Sequence, residues 1–375
     1  MAGPVDTSAA VSQGEFRSCL EQVATDDGVD MIMAITVPTA LGHLPPAILA
    51  AEVAKPLVAV TLDQQESVRL LKRADQPAEP SAQPDQRTAC PVQAAIPSFL
   101  FPETAARALG HAVRYSAWWS APEGQVPDLP GIRHDEARQL VDDFLASQHQ
   151  GGWLPPDQIT DLLACYGIAL VPSVEVADAD AAVRAAAEFD DAAVVLKADV
   201  EGLVHKTDAG AVLLDLRTER DVRTGFDQLA GRFGADLRHV LVQPMLTEGV
   251  EVIIGVVHEP VFGPLVVFGL GGVATDVLGD HVARLTPLTD VDADQMIRGI
   301  RAAPLLLGHR GSTPVDLGSL ADILLRVSRL SDEVPEIAEL DLNPVVAQSD
   351  AARPVDARIR LIPTEPQDPF LRRLR

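Results

Sequence analysis

At 375 residues and 47% hydrophobic, the chain is too long for one hydrophobic core and predicts two or three globular domains. A formal net charge of −24 repels phosphate polymers and aromatics at 4% are too scarce for base-stacking platforms, which argues against nucleic acid and anionic membrane as partners. Cys19, Cys90 and Cys165 are odd in number and widely spaced, which fits reduced thiols, and no apolar run approaches the ~18 residues of a membrane helix, so a soluble cytoplasmic protein is expected.

Three apolar runs come first, MIMAITV (31–37), PLVAVTL (56–62) and AAIPSFLF (94–101), separated by helix-like or loop material, the alternation of a parallel α/β unit. They supply only part of a doubly wound domain, which ordinarily has about five strands or more. The Pro-, Gln- and Asp-rich stretch 74–87 predicts an exposed loop. A helix starts near Pro102, with Ala106, Leu109, Val113 and Trp118 lining a core-facing side. Pro and Gly then become frequent around one amphipathic helix, EARQLVDDFL. The expected division is a partial α/β domain over 1–120, a helix-bearing linker over 121–152 and a second domain over 153–375.

The second domain reads as helix (PPDQITDLLACYG), strand (ALVPSV), helix (DADAAVRAAAEF) and a short buried strand over 192–196. Lys197 is expected where that strand meets solvent, its ammonium within reach of a phosphate. The loop that follows holds Gly202 and Gly210, which permit close backbone approach to an anion, together with His205, Lys206 and Asp208. A neutral imidazole at His205 can attack phosphorus. Strands HVLVQPM, VEVIIGVV and PLVVFGLGG predict an antiparallel sheet with a nucleotide at its edge. The end of the first can offer main-chain groups to an adenine edge, while Glu251 can accept from ribose hydroxyls or stand solvated. Gly269, Gly271 and Gly272 can close over phosphates or form a plain turn, and Arg284 can reach a phosphate or pair with Asp276 or Asp280. No GxxxxGK[ST] occurs, which excludes a standard P-loop.

The last hairpin, ELDLNPVVAQSDAARPVDARIRL, alternates cleanly. Leu340 and Leu342 face a core, so Glu339, Asp341 and Asn343 share the other face. A turn centred on Ser349 and Asp350 places Asp341 opposite Arg358 and Glu339 opposite Arg360, pairs that read as surface salt bridges. It also places Asn343 opposite Asp356, an amide oxygen beside a carboxylate with no cation in register. Two hard oxygen donors that leave room for phosphate and water suit Mg²⁺, with an Asx turn as the structural alternative.

The ordered set VVLK, LVHKTDAGAV, LVQPM, VEVIIGVV, FGPLVVFGLGG, APLLLGHRG, ELDLNPV and VDARIRL resembles the ATP-grasp portion of the NDP-forming acyl-CoA synthetases, the group of ADP-forming acetate–CoA ligases and succinyl-CoA synthetases, over about 153–375. Upstream, GPVDTSAAV through YSAWW resembles the second half of a flavodoxin-like ligase domain. The resemblance implies an α/β chain in which a partial flavodoxin-like CoA-ligase domain precedes a two-lobed ATP-grasp domain. It implies that Lys197, His205, Lys206 and Thr207 contact ATP phosphates, that Gln243 and Leu246 border the adenine, that Glu251 lies on the nucleotide and that Asn343 and Asp356 hold Mg²⁺. His205 falls where such enzymes carry a phosphorylatable histidine. The implied reaction converts acyl-CoA, ADP and phosphate reversibly to acid, CoA and ATP through an acyl phosphate and a phosphohistidine. Neither a CoA-binding Rossmann unit nor an HTG segment is found, so turnover is expected to need a CoA-binding subunit or protein, through which the small carboxylic acid and CoA are handled. Two alternatives stand beside this reading: a non-catalytic nucleotide-binding or regulatory protein, and an ATP-grasp carboxylate–amine ligase.

Overall fold

A reciprocal cap starts the first helix: the Ser12 hydroxyl accepts the Glu15 amide at 3.3 Å and the Glu15 carboxylate accepts the Ser12 amide at 3.0 Å, satisfying two donors that a helix start leaves orphaned. The structure, a computed structural model, describes residues 4–37, 43–72, 95–189, 192–200, 209–246, 248–259, 261–272 and 279–363. The chain divides into two compact units, Met1–Ala121 and Pro122–Arg375. Among the described residues no helix is long and apolar enough to cross a membrane, and Cys19 and Cys165 are free thiols.

In the first unit β1 (Ile32–Thr36), β2 (Leu57–Thr61) and β4 (Ala95–Phe99) run parallel, and β3 (Val68–Lys72) joins β4 antiparallel, giving the order β1-β2-β4-β3. One face packs Ile32, Ala34, Leu57 and Ala59 against Phe16 and Leu20 of α1 (Gln13–Ala24) and Ile48 of α2 (Pro45–Ala50). The other packs Val58, Val60 and Phe99 against Ala105 of α3 (Pro102–Ser120). The sequence predicts three strands here, and β3 escapes it because only Leu71 of VRLLK is buried, leaving no alternation to read. The helix face is also displaced from expectation. Ala105, Ala108 and Leu109 meet the sheet, whereas Ala106 and Val113 are exposed and Trp118 is 67% exposed, because the helix outruns the strands it covers.

The second unit contains two antiparallel sheets. The smaller has the order β6 (Val174–Val176), β9 (Leu237–Pro244), β7 (Val194–Val200), β8 (Val212–Leu216), and one face is closed by α6 (Ala179–Ala187) and α7 (Glu219–Phe233) through Val194, Leu196, Val240, Val242, Ala182 and Leu229. The larger has the order β12 (His281–Leu285), β11 (Gly263–Leu270), β10 (Val250–Glu259), β13 (Ile337–Ala347), β15 (Ala357–Leu361), β5 (Gly152–Trp153), with β14 (Ala352–Pro354) paired to β13. Its core face meets α4 (His134–Ser147), α5 (Pro156–Cys165), α8 (Asp290–Gly299), the single turn α9 (Ala303–Leu306) and α10 (Leu317–Glu333). In α10, Leu320, Ile323, Leu324, Val327 and Leu330 recur at helical spacing and are all buried, so one stripe of this helix faces the sheet. The helix of the expected linker is α4, and it contributes Ala137, Val141 and Phe144 to this same core.

Candidate functional site

Burial of Val194, Leu196 and Ala198 on one side of β7 forces Val195, Lys197 and Asp199 to the other. The register sets Asp199 beside His239, Lys197 beside Leu241 and Val195 beside Gln243, while Glu175 of β6 pairs with Leu241. The uncovered face of the small sheet therefore carries Lys197, Asp199, His239, Gln243 and Glu175 together. His239 bridges its neighbours, Nδ1 at 3.0 Å from Glu175 Oε1 and Nε2 at 3.3 Å from Asp199 Oδ2.

This face meets the return strand of the last hairpin. Lys197 Nζ donates to the Val355 carbonyl at 3.3 Å, and Gln243 Nε2 donates to the same carbonyl at 3.2 Å and to that of Val171 at 3.0 Å. Lys197 is thus not at a solvent boundary. Its strand continues to Val200, and the side chain is only 8% exposed, because the hairpin roofs it from more than a hundred residues downstream.

The hairpin has the register read from its alternation: Asp341 opposite Arg358, Glu339 opposite Arg360, and the Asn343 amide donating to the Asp356 carbonyl at 3.1 Å. Asp341 differs from a surface ion-pair partner. Burial is the main cause that pushes its pKa above the ordinary value of 3.8, helped by the Glu339 and Asp356 carboxylates and opposed by a hydrogen bond with the Asn343 side chain and by the Arg358 charge. Arg358 also lies over the Trp153 ring, 5.3 Å from its centroid. The oxygen donors gathered at this point are two carboxylates and an amide, Asp341, Asn343 and Asp356, and the sequence reading includes only the last two. Among the described residues no group of three or more His, Cys, Asp and Glu can hold a metal ion by itself. An open, oxygen-only set matches Mg²⁺, which keeps most of its six positions for water and phosphate.

Glu251, second in β10, is exposed and lies on the same sheet face as Asp341, since Gly255 pairs with Asp341 two alternations later. Its carbonyl accepts the Gly271 amide at 2.8 Å, and a Cβ on Gly271 would come within 3.0 Å of the Glu251 backbone, so the glycine run after β11 is pinned against the Glu251 end of β10. Gly272 adopts φ +76°, open to glycine far more readily than to other residues, with Glu251 Oε2 beside it.

Leu246 lines a cleft of about 670 Å³ with Pro244, Val171, Ser319 and Pro354, among others. Gln243, Lys197, Glu251, Asn343 and Asp356 are not among its lining residues. Gln243 is 4% exposed, behind that wall. His205, Lys206 and Thr207 lie outside the described residues, as do Gly202, Asp208 and Asp276. Arg284 does not pair with Asp280. Its Nε lies 4.0 Å from Asp292 Oδ1, and the Asp280 carboxylate instead accepts the Arg301 and Ala302 amides at 2.7 and 2.8 Å, orphan donors that precede α9.

An ATP-grasp domain family matches residues 145–361. The chain is 34% identical over 369 residues to acetate–CoA ligase (ADP-forming) I of Archaeoglobus fulgidus, covering 96% of this chain and 50% of that protein. It is 39% identical over 232 residues to the beta subunit of acetate–CoA ligase (ADP-forming) I of Pyrococcus furiosus, covering 60% of this chain and 98% of that subunit. Among solved structures it is similar to the dinucleotide-forming acetyl-coenzyme A synthetase 1 of Ca. Korarchaeum cryptofilum in complex with coenzyme A, Ca-AMPCP and HgCl⁺, at a TM-score of 0.56 and 36% identity, covering 60% of this chain and 99% of that one. The chain spans about half the length of the Archaeoglobus relative and nearly all of the Pyrococcus subunit. Two sheets joined where Lys197 and Gln243 share the Val355 carbonyl, together with these matches, make the chain a member of the ATP-grasp family within the ADP-forming acetate–CoA ligase group.

Proposed function

We propose that this chain is the nucleotide component of an ADP-forming acid–CoA ligase: it binds Mg-ATP between its two sheets and passes the terminal phosphoryl group to His205, with a CoA-binding subunit completing turnover. The observation that carries the reading is the convergence of Lys197 and Gln243 on the Val355 carbonyl, one residue from Asp356, whose own carbonyl accepts the Asn343 amide. Lys197 would leave that carbonyl for a phosphate oxygen, Glu251 would accept from the ribose, Lys206 and Thr207 would hold phosphate, and Leu246 would pack against the base. Asp341, Asn343 and Asp356 would hold Mg²⁺, which when bound supplies neutralisation of phosphate charge. In the transfer itself a neutral imidazole nitrogen of His205 forms a bond to the γ-phosphorus as the bond to the bridging oxygen breaks and ADP departs. The first unit, with three parallel strands covered on both faces, fits half of a flavodoxin-like CoA-ligase domain.

Calorimetric titration of Mg-ATP into the chain and into an Asn343→Ala, Asp356→Ala double variant tests the reading, alongside labelling with γ-³²P-ATP. Binding that falls at least tenfold in the variant, and acid-labile label lost in His205→Asn, are the expected results. Failure of the unaltered chain to bind Mg-ATP sinks it.

A further inference from the structure

Strand β1 has the sequence of an interior strand and the position of an edge strand. It reads IMAIT and runs into Val37 without a charge, the near-continuous apolar run of a parallel strand flanked on both sides and covered on both faces. Yet it ends the order β1-β2-β4-β3, and among the described residues only β2 pairs with it. The Ile32 amide donates to the Pro56 carbonyl at 2.9 Å and the Leu62 amide to the Thr36 carbonyl at 3.3 Å, so Ile32, Ala34 and Thr36 turn their main-chain groups toward β2. Met33 and Ile35 turn theirs outward, to the open edge. The opposite edge is guarded: β3 carries Arg69 and Lys72 within five residues, charges of the kind by which edge strands avoid pairing with another chain. No such charge protects β1.

The cover over this strand is incomplete as well. Ile32 and Ala34 pack beneath α1 and α2, but Met33 and Ile35 point to the other face, where α3 meets β2 and β4. A helix is roughly 10 Å across and strands lie about 4.8 Å apart, so one helix roofs two strands of the four. Ile35 is left 50% exposed, and Val37 just beyond it is exposed too. We infer that β1 is a strand-addition site whose occupant is a strand–helix unit of the CoA-binding subunit: the strand takes the main-chain groups of Met33 and Ile35, and the helix covers Ile35 and Val37 beside α3. This rests on the proposed function and names the surface that its partner holds. Two relatives favour that occupant. The Archaeoglobus ligase matches 96% of this chain, first unit included, and has as much length again outside the match. The Pyrococcus beta subunit is matched over 98% of its length by 232 residues, a span shorter than the second unit alone. The first unit thus keeps company with the half of the ligase that lies outside the match.

Hydrogen exchange of the whole chain, alone and mixed with the part of the Archaeoglobus ligase outside the match, tests this, with Mg-ATP titrated into the same samples. The expected result is fast exchange at the Met33 and Ile35 amides in the chain alone, slowed by about tenfold or more in the mixture, while the Ala34 and Thr36 amides exchange slowly in both. Ile35→Pro removes the outward amide and spares the bonds to β2, and Ile35→Lys keeps the amide but sets a charge on the edge. Each should weaken association by about tenfold or more with Mg-ATP binding unchanged. No association with the ligase part, or association that leaves the two amides exchanging freely, overturns the inference. Mg-ATP binding in those samples leaves the nucleotide reading standing, and its absence sinks that reading separately. Protection of the same amides in the chain alone overturns the inference too, a dimer in sedimentation assigning the edge to a second copy and a monomer to this chain itself.

Discussion

Asp341 shows how far a single residue can depart from its appearance in a sequence. Opposite Arg358 it reads as half of a surface ion pair, and its register is as expected, yet it is partly buried among other carboxylates. Its pKa is raised, so the folded chain keeps the proton to higher pH than the unfolded chain does. The carboxylate therefore costs no stability below its ordinary value of 3.8, and a cost develops as pH rises through the raised value and persists at neutrality. Asp341→Asn should melt at a higher temperature than the parent at pH 7 without Mg²⁺, with the gap closing as pH falls below 3.8; thermal melts across that range check it, and a lower melting temperature at pH 7 contradicts it. The same kind of non-local cover explains Lys197, whose strand is legible but whose roof is the main chain of Val355. No local pattern announces that cover.

At the scale of elements, the last hairpin was legible almost residue by residue because apolar alternation and opposite charges both constrain its register. The edge strand β3 and the outer turns of α3 were not, since periodicity records burial and these segments bury little. The glycine run after β11 was visible but ambiguous, and its reason emerges only from packing against β10. A methyl group at Gly271 would sit 3.0 Å from the Glu251 carbonyl carbon and 3.1 Å from its oxygen. Gly271→Ala should therefore destabilise the second unit by about 1–3 kcal/mol, as overpacking does. Denaturant unfolding measures this, and a change within error of zero shows that the loop can move aside.

For the whole molecule, the alternation of strand and helix patterns pointed to the mixed α/β fold that is found, and the ordered motifs, more than any one of them, pointed to the family that the comparisons support. The chain matches half of a longer ligase and nearly all of a beta subunit. On the proposed reading, the chain alone should take label from γ-³²P-ATP yet form no thioester from acetate and CoA, and adding the CoA-binding subunit of a Pyrococcus-type ligase should start thioester formation. Trapping with hydroxylamine measures the product, and thioester made by the chain alone removes the need for a partner.

The Val355 carbonyl has a consequence for which phosphates could be admitted at all. One oxygen takes hydrogen bonds from both Lys197 and Gln243. A ligand that draws the ammonium away performs a swap of acceptors, and an anion, which meets the ammonium with a full charge where the carbonyl offers a dipole, favours the swap. On the proposed reading the carbonyl thereby sets a threshold: a neutral ligand would leave the lysine where it is, while a polyphosphate would recruit it and loosen the hairpin's hold on the small sheet in the same event.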